Sequence, residues 1–179
     1  MNALLSFAHG VDWLNDRFAR VAAWAVISSC FISASNAVIR YGFDFSSNSF
    51  LEIQWYLFAA CVMLGAAQVL RMNEHVRVDL IYARLSGHGK VYVDLFGLVL
   101  FLVPVMVTMI WFAWPLFSRM YFSGEMSNNA GGLVRWPAML MLPLGFALVL
   151  LQGVGEIIKR VAWLMHRYEM DTHYERPLQ

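Results

Sequence analysis

Residues Leu95–Phe117 read LFGLVLFLVPVMVTMIWFAWPLF, 23 consecutive positions without a charge. About 20 apolar residues carry an α-helix across a hydrocarbon core, so this stretch predicts a membrane-spanning helix. Three more runs are of similar kind: VAAWAVISSCFISASNAVI (Val21–Ile39), IQWYLFAACVMLGAAQVL (Ile53–Leu70) and PAMLMLPLGFALVLLQGVGEII (Pro137–Ile158). An unpaired backbone is not tolerated in lipid, and the runs lack the short alternating pattern of barrel strands, so all four are read as helices. Pro104 and Pro143 are tolerated kink positions within them. Of the 179 residues 60% are hydrophobic and 14% charged, with a mean hydropathy of +0.56. A soluble domain of this length cannot hide such a proportion of apolar side chains. The sequence therefore predicts an all-α integral membrane protein with one four-helix domain over 1–179. Its spans fall at about 21–39, 53–70, 95–117 and 137–158, and a polar tail at 165–179.

The cations set an expected orientation. Arg17 and Arg20 precede the first span, Arg71, Arg77, Arg84 and Lys90 follow the second, and Lys159, Arg160, Arg167 and Arg176 follow the fourth. Only Arg40, Arg119 and Arg135 fall on the other side. The positive-inside rule then places both termini and the 71–90 connector in the cytoplasm. Tyr41, Trp55, Trp111, Trp114 and Trp136 mark the expected outer boundary, and Trp24, Tyr92 and Trp163 the inner one. SASNA (Ser33–Ala37) resembles a signal-peptide exit, but Asp12 and Asp16 in the long preceding segment favour an anchor that stays attached.

The connector RMNEHVRVDLIYARLSGHGK (Arg71–Lys90) is more than a hydrophilic loop. On a helical wheel Val76, Leu80 and Ala83 share one side, and Val78, Ile81 and Leu85 another. Arg77 and Arg84 lie between those stripes, with His75, Asp79 and Tyr82 opposite. That pattern predicts an amphipathic arm at the cytoplasmic interface, ended by Ser86-Gly87-His88-Gly89. An irregular loop with incidental alternation is the plainer alternative.

Catalytic signatures are missing from the sequence. No histidine falls in a span, which argues against a bis-histidine haem site, and there is no HExxH, GxSxG or P-loop. Cys30 and Cys61 are far apart, without a CxxC, and read as small apolar fillers. Glu52, Asp94 and Glu156 sit at or near span ends, where hydration tolerates charge, so no mid-membrane acid is available for ion coupling. The net charge of +1, without a basic stripe, implies no nucleic-acid partner. No catalytic, substrate-binding or metal site is expected.

The helices offer packing surfaces instead. Ser29, Ser33, Asn36 and Arg40 form one stripe on the first. The second carries Glu52, Tyr56, Ala59 and Ala66, and nearly opposite them Gln54, Cys61, Gly65 and Gln68. Gly145, Gln152, Glu156 and Lys159 line up on the fourth. Small and polar residues at this spacing let membrane helices approach and hydrogen-bond, at roughly 0.6 kcal/mol per polar contact. Two such sides on the second helix point to more neighbours than one small bundle supplies. Arg40 and Glu52 flank the short outer loop and either pair across it or stand as two solvated charges at the interface. The second outer loop, Arg119–Pro137, offers Asn128 and Asn129, and tight turns at Gly131-Gly132.

The order of features resembles a known family. NAVIRYGFDFS (Asn36–Ser46), LEIQWYLF (Leu51–Phe58) and LGAAQVLRMNEHVRVDLI (Leu64–Ile81) occur in sequence, with His75-Val76-Arg77-Val78-Asp79 as the most specific element. EMSNNAGGLVRWP (Glu125–Pro137) and LPLGFALVLLQGVGEIIKR (Leu142–Arg160) follow. Over residues 15–165 the chain is similar to the small permease subunit of TRAP transporters, the DctQ-like family. It departs where many members have two adjacent acids, since Ile53 follows Glu52.

The resemblance implies a subunit of a tripartite ATP-independent periplasmic transporter in the bacterial inner membrane, N-in and C-in. It would be no enzyme and have no cofactor. A large membrane subunit would bind organic acid and sodium, a periplasmic protein would deliver the substrate, and this chain would brace the large subunit. Residues expected to meet the partner or membrane lipids, structurally and not catalytically, are Arg40, Glu52, Gln68, Arg71, His75, Arg77, Asp79, Arg84, Asn128, Asn129, Gln152 and Glu156. Two other readings remain open on the residues alone: a self-sufficient small oligomeric transporter or channel, and a small membrane transferase acting through the connector. The first lacks a coupling charge, and the second lacks a paired nucleophile and base.

Overall fold

The computed structural model describes residues 1–45, 47–73, 82 and 85–169. The interfacial arm, with His75, Arg77, Asp79 and Arg84, and the tail beyond 169 lie outside the described residues. Four helices among the described residues are long and apolar enough to cross a membrane: α1 (Asn2–Phe43), α2 (Asn48–Met72), α3 (Gly87–Ser123) and α4 (Trp136–Leu164). Among the described residues there is no strand beyond one isolated bridge, Met126 to Val134.

Each helix stops where local chemistry stops it. Asp44 turns left-handed (φ 55°) after α1, and Ser47 caps α2 by accepting from the Ser49 N–H. Asn73 (φ 64°) and Gly124 (φ 61°) end α2 and α3 in the same left-handed conformation, which satisfies the last carbonyls. Ser86 caps α3 through the Gly89 N–H. Within α3, Leu98–Leu102 is π-helical and the Val103 N–H reaches back to the Leu98 carbonyl. Pro104 accounts for this. Its ring would strike the carbonyl four residues earlier and it has no N–H to offer, so the chain widens by one residue ahead of it.

The first helix is longer than its apolar run. It comprises 42 residues, about 63 Å at 1.5 Å per residue, against a hydrocarbon core of about 30 Å. The charges at Asp12, Asp16, Arg17 and Arg20 interrupt the hydropathy without interrupting the helix.

The chain runs up and down, so α1–α2 and α3–α4 connect at one end, here the hairpin end. The start of α1, the end of α2, the start of α3 and the end of α4 share the other, the termini end. α1, α2 and α4 pack on one another, while α3 packs on α4 with no more than marginal contact to α1 or α2. Small side chains make the three-helix contact close: Ala22, Leu64, Ala67 and Leu148 form its centre. Gly145 meets α2 where a Cβ would come within 2.7 Å of the Met63 carbonyl oxygen and Cβ. Gly153 receives the Leu102 side chain from α3, 2.5 Å from where a Cβ would stand. The Gly65 face of α2 looks onto Ala22 of α1, and the Glu52–Tyr56 face onto α4 and the loop before it. Both small-and-polar sides of α2 thus find neighbours within the chain, so they do not call for an outside partner.

Candidate functional site

Polar side chains gather at two places, one at each end of the helix cluster. At the hairpin end, Glu52 lies one turn into α2 and is only 3% exposed. Its carboxylate accepts from the Asn129 side-chain amide (2.8 Å), the Leu133 backbone N–H (2.7 Å) and the Ser127 hydroxyl. Asn48 and Ser49 donate to the carbonyls of Ala130 (3.0 Å) and Gly131, and the Tyr56 hydroxyl donates to that of Val134 (3.1 Å). The 124–135 loop is therefore pinned along the first two turns of α2.

The loop is also closed on itself. The Ser127 N–H donates to Leu133 (2.9 Å), the Arg135 N–H to Glu125 (3.0 Å), and the Arg135 guanidinium pairs with the Glu125 carboxylate at 2.6 Å. The tight turn expected of Gly131-Gly132 is present. Gly131 has φ 71°, a region that favours glycine. A Cβ on Gly132 would stand 2.5 Å from Ser127 Cβ and 3.0 Å from a Glu52 carboxylate oxygen.

This arrangement corrects one expectation. Glu52 does not pair with Arg40; its oxygens are taken by neutral donors of the second loop, and Arg40 has no ion pair among the described residues. Asn129 belongs to the clamp, while Asn128 is exposed beside it. Glu52, Trp55, Tyr56, Asn128, Arg135 and Met139 line an open groove of about 410 Å³.

At the termini end the chemistry is ionic. Lys159 of α4 pairs with Asp12 of α1 (2.7 Å) and with Glu156 (2.9 Å). Gln152 donates to Asp12 (2.9 Å) and Glu156 (3.0 Å) and accepts from Asn15 (2.7 Å). Arg160 reaches Glu156 on its own helix and Asp94 of α3 (3.0 Å). Arg71 of α2 pairs with Asp16, and Tyr82 donates to Asp94 at 3.0 Å. One connected cluster joins all four helices. Nearby, the His88 and Trp163 rings pack at 4.8 Å between the start of α3 and the end of α4.

Gln152, Glu156, Lys159 and Arg160 are each 7% exposed or less. At 1.5 Å per residue Gln152 stands about 24 Å along α4 from its start and Arg160 about 36 Å, which brings the cluster into the edge of the hydrocarbon. Isolated charges there are costly, and pairing with hydrogen bonds offsets the desolvation. Asp94 and Glu156 are thus held by partners inside the protein, where hydration at the span ends was expected.

The stripe Gly145, Gln152, Glu156 and Lys159 is buried in full and faces inward. Asn36 is buried on α1, while Ser33 and Arg40 of that stripe are exposed. Gln68 is partly buried, and its side-chain oxygen has no partner. Sequence reasoning missed Asp12, Asn15, Asp94 and Arg160 as members of the cluster. The signal available was the short polar face at 12, 15 and 16 on one helix, matched by 152, 156 and 159 on another. Among the described residues no group of His, Cys, Asp and Glu is placed to hold a metal ion.

The family model described as "Tripartite ATP-independent periplasmic transporters, DctQ component" matches residues 29–162. The match takes in α2, α3, most of α4 and the second part of α1, and leaves Asp12, Asn15 and Asp16 outside. Neither a curated protein nor a solved structure matches the chain.

Proposed function

The chain belongs to the DctQ family of tripartite ATP-independent periplasmic transporter components, and on that premise we propose that it is the scaffold of such a transporter. In this reading it braces the large substrate- and sodium-binding subunit during sodium-coupled uptake of an organic acid, and it neither binds the substrate nor catalyses a reaction. A periplasmic binding protein completes the system. Both termini face the cytoplasm, as the ten cations at the termini end favour, and His75, Arg77, Asp79 and Arg84 hold the connector against headgroups or the large subunit.

The observation that carries the reading is the disposition of α3. It is fixed at both ends and packed along α4, yet it turns Trp111, Phe112, Trp114 and Phe122 outward, each more than half exposed. Every charge of the cluster has an opposite charge within salt-bridge distance on the same or a neighbouring helix, which suits a rigid element better than a moving ion carrier. Broad apolar helix faces on a braced frame are what a membrane subunit needs in order to lie against a larger one.

The test is affinity capture of the tagged chain from gently solubilised native membranes. A large polytopic protein recovered in equal amount is the expected result, and its recovery falls in Arg77→Ala and Glu52→Ala. Recovery of the chain alone, as monomer or homo-oligomer, overturns the scaffold reading in favour of a self-sufficient transporter or channel. Sodium-driven uptake by the captured assembly in vesicles, absent when either membrane protein is left out, tests the coupling.

A further inference from the structure

The groove at the hairpin end has a chemistry that bracing does not use. We propose that it is a binding site for the headgroup of a zwitterionic phospholipid bearing a primary ammonium, phosphatidylethanolamine. Three observations meet there.

The first is the state of Glu52. It is a carboxylate 3% exposed whose donors are all neutral, and among the described residues no cation lies within ion-pair distance of it. One oxygen accepts from both Ser127 and Asn129, while the other accepts only from the Leu133 N–H. A carboxylate oxygen has room for two donors, so this second oxygen has capacity for one more.

The second is the sign of the charge. The charged groups that line the groove or pair into it are Glu52, Arg135 and Glu125, the last bound to Arg135 at 2.6 Å. Arg135 is already met by Glu125, so the charge left over on the lining is that of Glu52, which repels an organic-acid anion and attracts an ammonium. Trp55 lies on the same lining and is 66% exposed, and an indole face attracts a cation.

The third is position. The groove opens where α2 and α4 begin, at the ends of two helices long and apolar enough to span a membrane, and Ala138 and Met139 continue its lining down α4 with apolar surface. At about 410 Å³ it falls within the size range of small-molecule sites. The ammonium would donate to the second Glu52 oxygen and lie against Trp55, the phosphate would face Arg135, and the first methylenes of the acyl chains would run past Ala138 and Met139. A phosphatidylglycerol has no ammonium. A phosphatidylcholine has a cation that cannot donate a hydrogen bond.

The reading does not rest on the scaffold role, and its test reads which lipid binds and not which protein is recovered. The chain is purified with whatever partner accompanies it, stripped of lipid in detergent, and offered equal amounts of phosphatidylethanolamine, phosphatidylcholine and phosphatidylglycerol of one acyl composition. Native mass spectrometry counts the adducts. The expected order is ethanolamine, then choline, then glycerol. Trp55→Leu lowers the ethanolamine adduct about 2- to 5-fold, the worth of one exposed cation–π contact. Glu52→Gln brings ethanolamine and choline to parity. Because Trp55 makes none of the hydrogen bonds that pin the loop, its variant stays informative if Glu52→Gln loosens the loop. Equal adducts of the three lipids, or an ethanolamine adduct unchanged by Trp55→Leu, would overturn the proposal.

Discussion

At the hairpin end one carboxylate, Glu52, is held by an amide, a hydroxyl and a backbone N–H from a single loop. At the termini end three carboxylates, Asp12, Asp94 and Glu156, are held by Lys159 and Arg160 with help from Gln152 and Asn15. The first arrangement ties a loop to a helix that is already in place. The second ties helices to one another, and it is the only polar link from α3 to α4 among the described residues. The difference lies in what failure costs. Losing a neutral donor leaves a carboxylate that two others still satisfy, whereas losing a cation leaves buried acids in excess of the cations that remain.

That contrast is broken most severely at Lys159. Lys159→Met removes the cation shared by Asp12 and Glu156, leaving Asp12 with Arg71 at 3.7 Å and Glu156 with Arg160, and unfolding in detergent is expected to become easier by about 3–5 kcal/mol. Adding Asp12→Asn to the same chain removes the acid that depended most on Lys159 and should recover part of the loss. No recovery would mean that Lys159 matters through packing alone.

A smaller effect separates packing from charge. Gly145→Ala places a methyl 2.7 Å from Met63, and about 1–3 kcal/mol of overpacking is expected. Gly155→Ala, whose new methyl meets Ala8 at 3.8 Å, should change stability by about 0.5 kcal/mol or less. Equal effects at the two glycines would refute the close α2–α4 approach.

Glu52→Gln sharpens the comparison from the other side. The helices should keep their unfolding midpoint, while protease cleavage within 124–135 rises, because the clamp serves the loop. Least of all is expected from Arg71→Gln. Its side chain is 32% exposed where it pairs with Asp16, and such pairs contribute at most about 1 kcal/mol. Thermal unfolding of the solubilised protein measures it.

The four helices were legible in the sequence because lipid demands long apolar runs, and the inward stripe of α4 was legible because small and polar residues recur there at helical spacing. What hydropathy could not show was the true start of α1. Asp12, Asp16, Arg17 and Arg20 end an apolar run, but a helix ends only where its hydrogen bonds do, and these continue to Asn2. Glu52 stands at the edge of a span in the sequence, and of its two readings there, a pair with Arg40 or a solvated charge, the structure shows neither. Opposite charge across a short loop is a local cue, and three neutral donors some 80 positions away outcompete it. Asp94 and Arg160 were hidden for the same reason, being joined across 66 positions by a fold that neither one's neighbours encode.

The bond between Asp12 and Lys159 spans 147 positions, and that separation has a meaning in time. A ribosome adding about 5–20 residues per second takes about 7–30 s to travel from one codon to the other. Until then Asp12 of α1 has at most Arg71, 3.7 Å away in the finished fold, and lacks the closer buried cation of α4. The nascent chain must keep that turn of α1 wet, at the mouth of the insertion machinery or among headgroups, until α4 arrives. A chain truncated ahead of Lys159 keeps Asp12 without its buried cation, and it is expected to be degraded faster than the full chain.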